Sequence, residues 1–330
     1  MTPGGGLAAL ITCAHLQRGF DAHGPEFAKR GVAAHLPELL GQQFDAEAMA
    51  RMLPEADVVI AGDDIIDAEA LRAGKAGRLK AVIKWGIGTD AIDKVAAAEL
   101  GLPVYNTPGV FGDEVADLAM TFMLLLARPL HLIDRSVRGG GWRQIQGRSL
   151  KGLTAGVVGF GSIGQAIAQR CSGFGLSVLA HDTRDIEAAA LERSGAASVG
   201  LEELFERADC LFLACALTPD NRHMVSRDRL RKMKRGAYVV NVARGALVDE
   251  AALIDALEAN HLGGAGLDVY EAEPLPADSG LRQFDNVILG SHCGSNTAEA
   301  IARINAKTVG MLWPLLGLEP MDERDFNRVA

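Results

Sequence analysis

Residues 157–164 read Val-Val-Gly-Phe-Gly-Ser-Ile-Gly; a short apolar run leads into them, and an amphipathic stretch begins at Ser162. This is the spacing G-x-G-x-x-G between a predicted strand and a predicted helix. In that setting Gly159 permits the tight turn, Gly161 lets the backbone approach a pyrophosphate, and Gly164 lets helix and strand pack closely. The stretch therefore predicts a parallel α/β sheet that binds a dinucleotide at the end of this strand.

Residues beside the glycines indicate which dinucleotide binds. The backbone amides of Ser162 and Ile163 stand at the predicted helix start, where amides favour phosphate groups. Asp182 ends the next predicted strand, so it can accept both ribose hydroxyls of NAD and repel the extra phosphate of NADP. Arg184 weakens that preference, and a strand-ending turn is the alternative interpretation of Asp182. We therefore expect NAD as the cofactor.

Apolar runs alternate with amphipathic stretches along most of the 330 residues, a length about twice that of a usual single domain. This alternation is typical of parallel strands joined by crossover helices. In the first third, strands are predicted at residues 7–12, 58–61, 81–84 and 103–106, with helices at 38–53 and 91–100. A second series has strands at residues 155–159, 177–181, 210–215, 238–242, 266–269 and 287–289, with helices at 162–174, 186–194, 201–207, 227–234 and 249–260.

Two further predicted helices link the two series. An apolar helix at residues 113–127 lies between them, and a long helix at 298–316 is expected to return to the first domain. The predicted fold is therefore α/β, with two doubly wound parallel-sheet domains, one inserted into the other. Residues 1–106 and 292–330 form the predicted substrate domain, which is flavodoxin-like. Residues 107–291 form the predicted dinucleotide-binding domain, of the Rossmann type.

Composition excludes several classes of function. The chain has 33 Lys and Arg against 42 Asp and Glu, a formal net charge of −9. Without a basic tract, this balance argues against a nucleic-acid or anionic-membrane partner. The five cysteines contain no Cys-x-x-Cys pair, so neither a metal site nor a disulfide framework is predicted. No stretch reads as a membrane span or a charged signal segment, and we expect a cytoplasmic protein.

Three chemically distinct side chains, those of Arg244, Glu273 and His292, follow three predicted strands of the second series. The carboxyl ends of parallel strands meet at one edge of a sheet, so these groups can converge. Arg244 can hold the carboxylate of a 2-oxo acid, and His292 can exchange a proton with its C2 oxygen. Glu273 beside His292 would favour the protonated ring. Each residue alone reads as an ordinary surface or turn residue, but together with a dinucleotide motif they predict metal-free dehydrogenation of a 2-hydroxy acid.

Longer segments point to a known family. They are residues 79–109, 157–168, 241–253, 264–275 and 290–300, and they include the motifs GFGSIG, NVARGALVDE, LDVYEAEP and GSHCGS. Over nearly its whole length the chain resembles the D-isomer-specific 2-hydroxyacid dehydrogenases, especially the phosphoglycerate-dehydrogenase-like branch. The resemblance implies that Arg244, Glu273 and His292 form the catalytic set. It also implies that Asp268 holds the nicotinamide carboxamide and that the backbone at Val242 contacts that ring.

The resemblance also implies a substrate-binding turn in the first domain. Backbone amides of Gly86, Ile87 and Gly88 match the turn that holds the substrate carboxylate in this family. Lys84 stands where phosphoglycerate dehydrogenases can carry an Arg near the substrate phosphate, and we infer that it binds an anionic distal group. A strand-end lysine in solvent is the alternative interpretation. Family members are usually dimers, and the apolar stripe at residues 118–126 is compatible with a homodimer or with interior packing.

The predicted activity is NAD-dependent hydride transfer to or from C2 of a small D-2-hydroxy acid, with 3-phosphoglycerate or a sugar-acid relative as leading candidates. A glyoxylate or hydroxypyruvate reductase is the alternative within the class. An NAD-sensing scaffold or corepressor is the alternative outside it. Two departures from the family pattern affect the substrate more than the chemistry: Gly290-Ser291 precedes His292 in place of Thr-Pro, and Ala214-Cys215-Ala216 replaces His-x-Pro.

Overall fold

The computed structural model describes residues 6–39, 41, 43–322 and 326–330, and the chain divides into two compact units. The first unit comprises Met1–Val110 and Thr297–Ala330, and the second is Phe111–Asn296. The boundaries predicted from the sequence, at 106/107 and 291/292, lie a few residues too early. His292 therefore belongs to the second unit and not to the first. The reason is local, because the backbone after residue 291 is still hydrogen-bonded to Asp268 of the second unit.

The amino-terminal part of the first unit alternates strands with short helices. Its elements are β1 (Leu7–Ile11), α1 (Ala14–Arg18), α2 (Gly24–Lys29), β2 (Val32–His35), α3 (Ala46–Met52), β3 (Val58–Ala61), α4 (Ala68–Ala76), β4 (Ala81–Lys84), α5 (Lys94–Glu99) and β5 (Val104–Asn106). Strands β3, β4 and β5 are buried along their whole length, as expected for a parallel sheet covered on both faces. Aspartates cap three of the helices: the carboxylates of Asp45, Asp67 and Asp93 each accept a first-turn amide.

The second unit repeats this alternation with longer elements. They are α6 (Gly112–Ala127), α7 (Leu130–Arg138), β6 (Thr154–Val158), α8 (Ser162–Gly173), β7 (Ser177–His181), α9 (Ala188–Ser194), β8 (Ala196–Ser198), α10 (Leu201–Arg207), β9 (Cys210–Leu213), α11 (Arg227–Lys232), β10 (Ala237–Asn241), α12 (Glu250–Glu258), β11 (Leu262–Leu267) and β12 (Val287–Leu289). The chain then returns to the first unit with α13 (Ala298–Leu315) and β13 (Asn327–Arg328).

Both sheets have the strand order of a doubly wound fold. The first runs β13-β5-β4-β3-β1-β2, with all neighbours parallel except the antiparallel edge pair β13 and β5. The second runs β12-β11-β10-β9-β6-β7-β8 and is parallel throughout. The direction of winding reverses between β1 and β3 in the first sheet and between β6 and β9 in the second. Ligands of such sheets bind outside the carboxyl ends of the strands at this switch point.

Helix α6 packs inside the second unit. Met120, Phe122 and Met123 on this helix are buried. A Cβ on Gly266 of β11 would lie 2.5 Å from the Cβ of Phe122, so this strand has no room for a side chain at that position. The apolar stripe at residues 118–126 therefore serves largely as interior packing. Among the described residues no single helix is long and apolar enough to cross a membrane. Helices α6 and α7 reach the required length and apolar composition only when they are taken together, and they are bent by 68° relative to each other.

Several local predictions differ from the structure. The helix predicted at residues 38–53 is shorter in the structure, where it spans Ala46–Met52 (α3), because the Asp45 side chain caps its first turn. Positions 40 and 42 of the predicted helix lie outside the described residues. Strand β8 was not predicted, since Ala196–Ser198 is short and partly exposed and has no apolar run. Helix α7 was also not predicted, and none of its residues is buried.

Candidate active site

The glycine-rich turn joins β6 to α8 at the switch point of the second sheet. Gly159 has φ +89°, and a Cβ there would lie 2.5 Å from the backbone nitrogen of Cys215. A Cβ on Gly164 would lie 1.9 Å from the carbonyl oxygen of Gly159, so helix and turn touch at this point. A Cβ on Gly161 would meet nothing within 4 Å. Two of the glycines are thus required by the fold itself, whereas the third leaves open space where α8 begins.

Asp182 lies directly after β7 and is hydrogen-bonded to this turn. One carboxylate oxygen accepts the Phe160 amide at 2.7 Å, and the other accepts the Arg184 amide at 3.0 Å. Burial raises the pKa of Asp182, but these two amides and the Arg184 guanidinium outweigh that effect, so its pKa lies below the ordinary value. The carboxylate is therefore ionised at neutral pH, with its side chain 12% exposed.

These residues fit NAD. The open space at Gly161 admits a pyrophosphate against the backbone, and the Ser162 and Ile163 amides begin α8, a helix of 12 residues whose amino end favours negative charge. An ionised Asp182 at the end of the neighbouring strand is suited to ribose hydroxyls. Arg184 is 81% exposed and lies 3.5 Å from Asp182, so its charge is engaged at this carboxylate.

Glu273 and His292 form a direct pair. Nδ1 of His292 lies 2.7 Å from Oε2 of Glu273, and the other Glu273 oxygen accepts the Tyr270 amide at 3.0 Å. Both side chains are about one-quarter exposed, at 28% for His292 and 20% for Glu273. A carboxylate on Nδ1 orients the ring and stabilises the imidazolium form. The proton that such a ring exchanges with a ligand is the one on Nε2.

Asp268 holds the loop that carries His292. Its carbonyl oxygen accepts the His292 amide at 2.8 Å, and its carboxylate accepts the amides of Cys293 and Gly294 at 3.0 and 2.9 Å. His292 has φ 55°, in the left-handed region that few side chains adopt. Successive amides around such a residue form a concave site for an anion. The buried Asp268 carboxylate therefore offsets the strain in the His292 backbone.

Cys293 donates its thiol to the same carboxylate across 3.4 Å. Burial and the Asp268 charge raise the pKa of Cys293, so it stays a thiol at neutral pH. Cys293 thus adds a side-chain donor to the loop of His292.

Arg244 stands three residues after β10, in a loop shaped by Asn241. The buried Asn241 side chain donates to the Arg244 carbonyl at 2.9 Å and accepts the Ala243 amide at 3.1 Å. The next residue, Gly245, lies so close to the backbone of Tyr270 that a Cβ would be 1.8 Å from its carbonyl carbon. The Arg244 loop is therefore packed against the loop that leads to Glu273.

The three predicted groups lie at one edge of the second sheet. Strands β10, β11 and β12 are parallel neighbours, and Arg244, Glu273 and His292 follow their carboxyl ends in that order. The glycine-rich turn and Asp182 lie at the same edge, after β6 and β7. Val242 and Asp268, the first residues after β10 and β11, are both nearly fully buried.

Sequence reasoning missed two residues of this site. Asn241 shapes the Arg244 loop, and the Tyr270 hydroxyl lies 2.7 Å from the Gly290 carbonyl oxygen and 3.0 Å from that of Leu267. Tyr270 therefore bridges the ends of β11 and β12. A buried-looking amide at the end of an apolar strand, in Val239–Asn241, is the signal that would have drawn attention to Asn241.

The predicted substrate residues of the first unit cluster at the end of β4. Gly86 has φ +123° and donates its amide to the Thr107 hydroxyl at 3.1 Å, while Ile87 is 44% exposed. The Lys84 side chain is only 6% exposed, and its Nζ lies 2.9 Å from Oδ1 of Asp63 and 3.1 Å from the carbonyl oxygen of Trp85. The alternative interpretation of Lys84 as a strand-end lysine in solvent is therefore wrong.

Comparisons with known proteins identify the class. Residues 120–294 match the family model described as D-isomer specific 2-hydroxyacid dehydrogenase, NAD binding domain. Together with the fold and the glycine-rich turn, this defines an oxidoreductase that uses NAD and acts on CH–OH donors. The chain belongs to the D-isomer specific 2-hydroxyacid dehydrogenase family, as the resemblance implied.

Two curated relatives and one solved structure are similar to this chain over most of its length. The chain is 36% identical to a hydroxypyruvate reductase of Thermotoga maritima, over 85% of this chain and 92% of that protein. It is 40% identical to a glyoxylate reductase of Korarchaeum cryptofilum, over 73% of this chain and 74% of that protein. Among solved structures, the TT0316 protein of Thermus thermophilus is 34% identical with a TM-score of 0.83, covering 98% of this chain and all of that one.

Proposed function

We propose that this protein reduces a small 2-oxo acid with NADH, either glyoxylate to glycolate or hydroxypyruvate to the D-2-hydroxy acid. The observation that carries the proposal is the 2.7 Å contact between Glu273 and His292 at the sheet edge that also carries Arg244 and the glycine-rich turn. The choice of substrate is supported by the relatives named hydroxypyruvate reductase and glyoxylate reductase.

In the proposed mechanism each residue has one task. When bound, NADH supplies a hydride to C2 of the substrate. Arg244 holds the substrate carboxylate and polarises the C2 carbonyl through its guanidinium. His292, kept protonated by Glu273, donates the Nε2 proton to the carbonyl oxygen, and in oxidation it takes that proton back. Charge on the oxygen is thus neutralised as it develops.

We assign cofactor contacts to the second unit. The pyrophosphate lies against Gly159, Gly161 and Gly164 and the amides of Ser162 and Ile163, and Asp182 accepts the ribose hydroxyls. For the nicotinamide, we assign the carboxamide to Asp268 and the ring to the backbone at Val242. The Asp268 carboxylate already accepts the Cys293 amide and thiol on Oδ1 and the Gly294 amide on Oδ2, and Oδ2 has a second lone pair for such a contact.

The substrate contacts of the first unit remain part of the proposal. The Gly86 amide donates to Thr107, so we assign the substrate carboxylate to the following amides of the turn, those of Ile87 and Gly88. Lys84 lies beside this turn, since a Cβ on Gly86 would be 3.7 Å from its Nζ. We assign Lys84 to the distal end of the substrate.

A panel of 2-oxo acids with NADH and with NADPH tests the proposed function. We expect loss of nicotinamide absorbance with glyoxylate and hydroxypyruvate, and a preference for NADH because of the Asp182 charge. Turnover confined to longer or phosphorylated acids would favour the alternative, a phosphoglycerate-dehydrogenase-like activity. NADH binding without turnover of any oxo acid would favour the other alternative, an NAD-sensing scaffold.

We further propose a homodimer with a cytoplasmic location. The surface suited to self-association is α7 and the segment after it, because Leu130, Val137 and Trp142 are 61, 46 and 81% exposed. Large apolar side chains grouped on one surface segment are typical of protein–protein contacts. This surface replaces the stripe at residues 118–126, which is largely buried.

A further inference from the structure

An ion pair stands beside the switch point of the first sheet. Lys84 is the last residue of β4, and Asp63 follows β3, the neighbouring strand on the side of β1. Their Nζ and Oδ1 atoms are 2.9 Å apart. The carboxyl ends of strands beside a switch point are the usual ligand position in this kind of sheet. The pair is thus placed where the first unit would meet a ligand.

The two charges of this pair differ in their access to water. The Lys84 side chain is 6% exposed, whereas the Asp63 side chain is 42% exposed. The next residue, Asp64, is turned inward: it accepts the Thr12 hydroxyl and the amides of Phe44 and Gly62. The loop after β3 is therefore fixed from within, and Asp63 is the carboxylate that it presents outward beside Lys84.

The surroundings of the pair include Trp85, His15 and Cys13. Trp85 stacks on the ring of His15, with centroids 5.1 Å apart, and its indole donates to Asn305 at 2.7 Å. Cys13 is buried next to both charges, and its pKa is raised to about 12, mainly by burial, so it carries no charge. His15 also faces the Asp63 charge, but burial and the Arg18 charge hold its pKa below the ordinary value, so its ring is largely neutral at neutral pH. Lys84 and Asp63 are therefore the directly paired charges beside the substrate turn.

We propose that Asp63 is a specificity-determining residue, which neutralises Lys84 and so restricts the substrate to 2-oxo acids whose distal group is small and uncharged. This rests on the proposed function and refines it. Lys84 alone would attract a second anionic group, as the sequence suggested. Because Asp63 contacts Lys84, the pair has no net charge and does not attract a phosphate or a second carboxylate of the substrate. The partly exposed Asp63 carboxylate repels such a group. A hydroxymethyl group can instead hydrogen-bond to the pair.

The test compares hydroxypyruvate with 3-phosphohydroxypyruvate, which adds a phosphate at the distal position. The measured quantity is the ratio of kcat/KM for the two acids with NADH. We expect Asp63→Asn to shift the ratio toward the phosphorylated acid by roughly tenfold, because one unit charge a few ångströms away is removed. Glu69→Gln, which removes an exposed carboxylate on α4, serves as the charge control and should leave the ratio unchanged.

A cycle with Lys84→Met covers the case in which Asp63→Asn does not fold. Lys84→Met alone removes the positive charge in contact with Asp63, so we expect the ratio to move further toward hydroxypyruvate. Adding Asp63→Asn to Lys84→Met should restore it to near the wild-type value. A ratio unchanged by Asp63→Asn, or a double variant identical to Lys84→Met, overturns the inference alone. If the wild type reduces neither glyoxylate nor hydroxypyruvate, the proposed function fails and the inference fails with it.

Discussion

The carboxylate of Glu273 contacts Nδ1 of His292 with one oxygen, at 2.7 Å, and accepts the Tyr270 amide with the other, at 3.0 Å. In the proposed mechanism, reduction requires the protonated ring, and a carboxylate in contact with it stabilises that form. We predict that Glu273→Gln lowers kcat for glyoxylate reduction, and lowers it more at high pH than at low pH, because the protonated ring loses the carboxylate that contacts it. The measurement is kcat against pH with saturating NADH.

Glu271→Gln is the matched control for this variant. Glu271 lies in the same loop but hydrogen-bonds to the Glu250 amide, at 3.1 Å. It should leave the pH profile in place. A Glu273→Gln enzyme whose profile coincides with that of the wild type would show that the carboxylate does not set the protonation of the ring.

The identities of the candidate site residues could be predicted because each belongs to a short motif after a predicted strand. What could not be predicted is how their neighbours hold them. The His292 backbone is left-handed, and three successive amides of its loop donate to Asp268. Nothing in the letters Gly-Ser-His-Cys-Gly encodes that conformation. The pairing of Lys84 with Asp63 depends likewise on two neighbouring strands, and the two residues are 21 positions apart along the chain.

The turn between β6 and α8 contributes to packing through Gly159 and Gly164 and is assigned to cofactor binding through Gly161. We predict that Gly161→Ala leaves the melting temperature near that of the wild type, because its Cβ meets nothing within 4 Å. The same methyl group should weaken NADH binding by roughly tenfold, since it enters the space assigned to the pyrophosphate. Fluorescence titration with NADH and thermal unfolding measure the two effects.

Gly164→Ala, in contrast, is expected to lower the stability of the protein. Its Cβ would lie 1.9 Å from the Gly159 carbonyl, so helix and turn must move apart and the melting temperature should fall. Gly173→Ala, at the other end of α8 and with nothing within 4 Å, should change neither property. Unchanged NADH affinity in Gly161→Ala would place the pyrophosphate elsewhere.

The elements that could be predicted are those with a strong apolar pattern. Strands β3, β4, β7 and β12 have the predicted bounds, because each contains a short run of apolar residues. Strand β11 begins earlier than predicted, at Leu262, because Gly263 and Gly264 have no side chain to show a pattern. In contrast, the amphipathic sequence of residues 38–53 has a helical period that extends beyond α3, and local capping by Asp45 sets the true start.

For the whole molecule, the proposed dimer gives a prediction about one exposed side chain. Trp142 is 81% exposed, and burying such a ring in a contact between two copies would contribute substantially to association. We predict that Trp142→Ala shifts the assembly toward the monomer in sedimentation equilibrium. Phe174→Ala, which removes a 48% exposed ring elsewhere on the second unit, is the control. An assembly unchanged by Trp142→Ala would exclude this residue from the contact.

The two-unit organisation and both sheet types could be predicted from the alternation of strands and helices alone. The residues at which the chain passes from one unit to the other could not be predicted. They depend on the hydrogen bonds from the amides of residues 292–294 to Asp268, which keep these residues in the second unit. From the sequence, the apolar stripe at residues 118–126 was compatible with a dimer contact or with interior packing. Burial in the structure favours interior packing, whereas none of the residues of α7 is buried.

The most direct test of proton transfer by His292 compares His292→Asn with the wild type. Two quantities are measured: the rate of NADH oxidation with glyoxylate, and the affinity for NADH. Asparagine removes the proton donor while keeping a polar side chain of similar reach. If His292 is the proton donor, kcat should fall by roughly a hundredfold to ten-thousandfold, the usual contribution of a general acid, with NADH affinity nearly unchanged. A His292→Asn enzyme that binds NADH and retains wild-type turnover would contradict it.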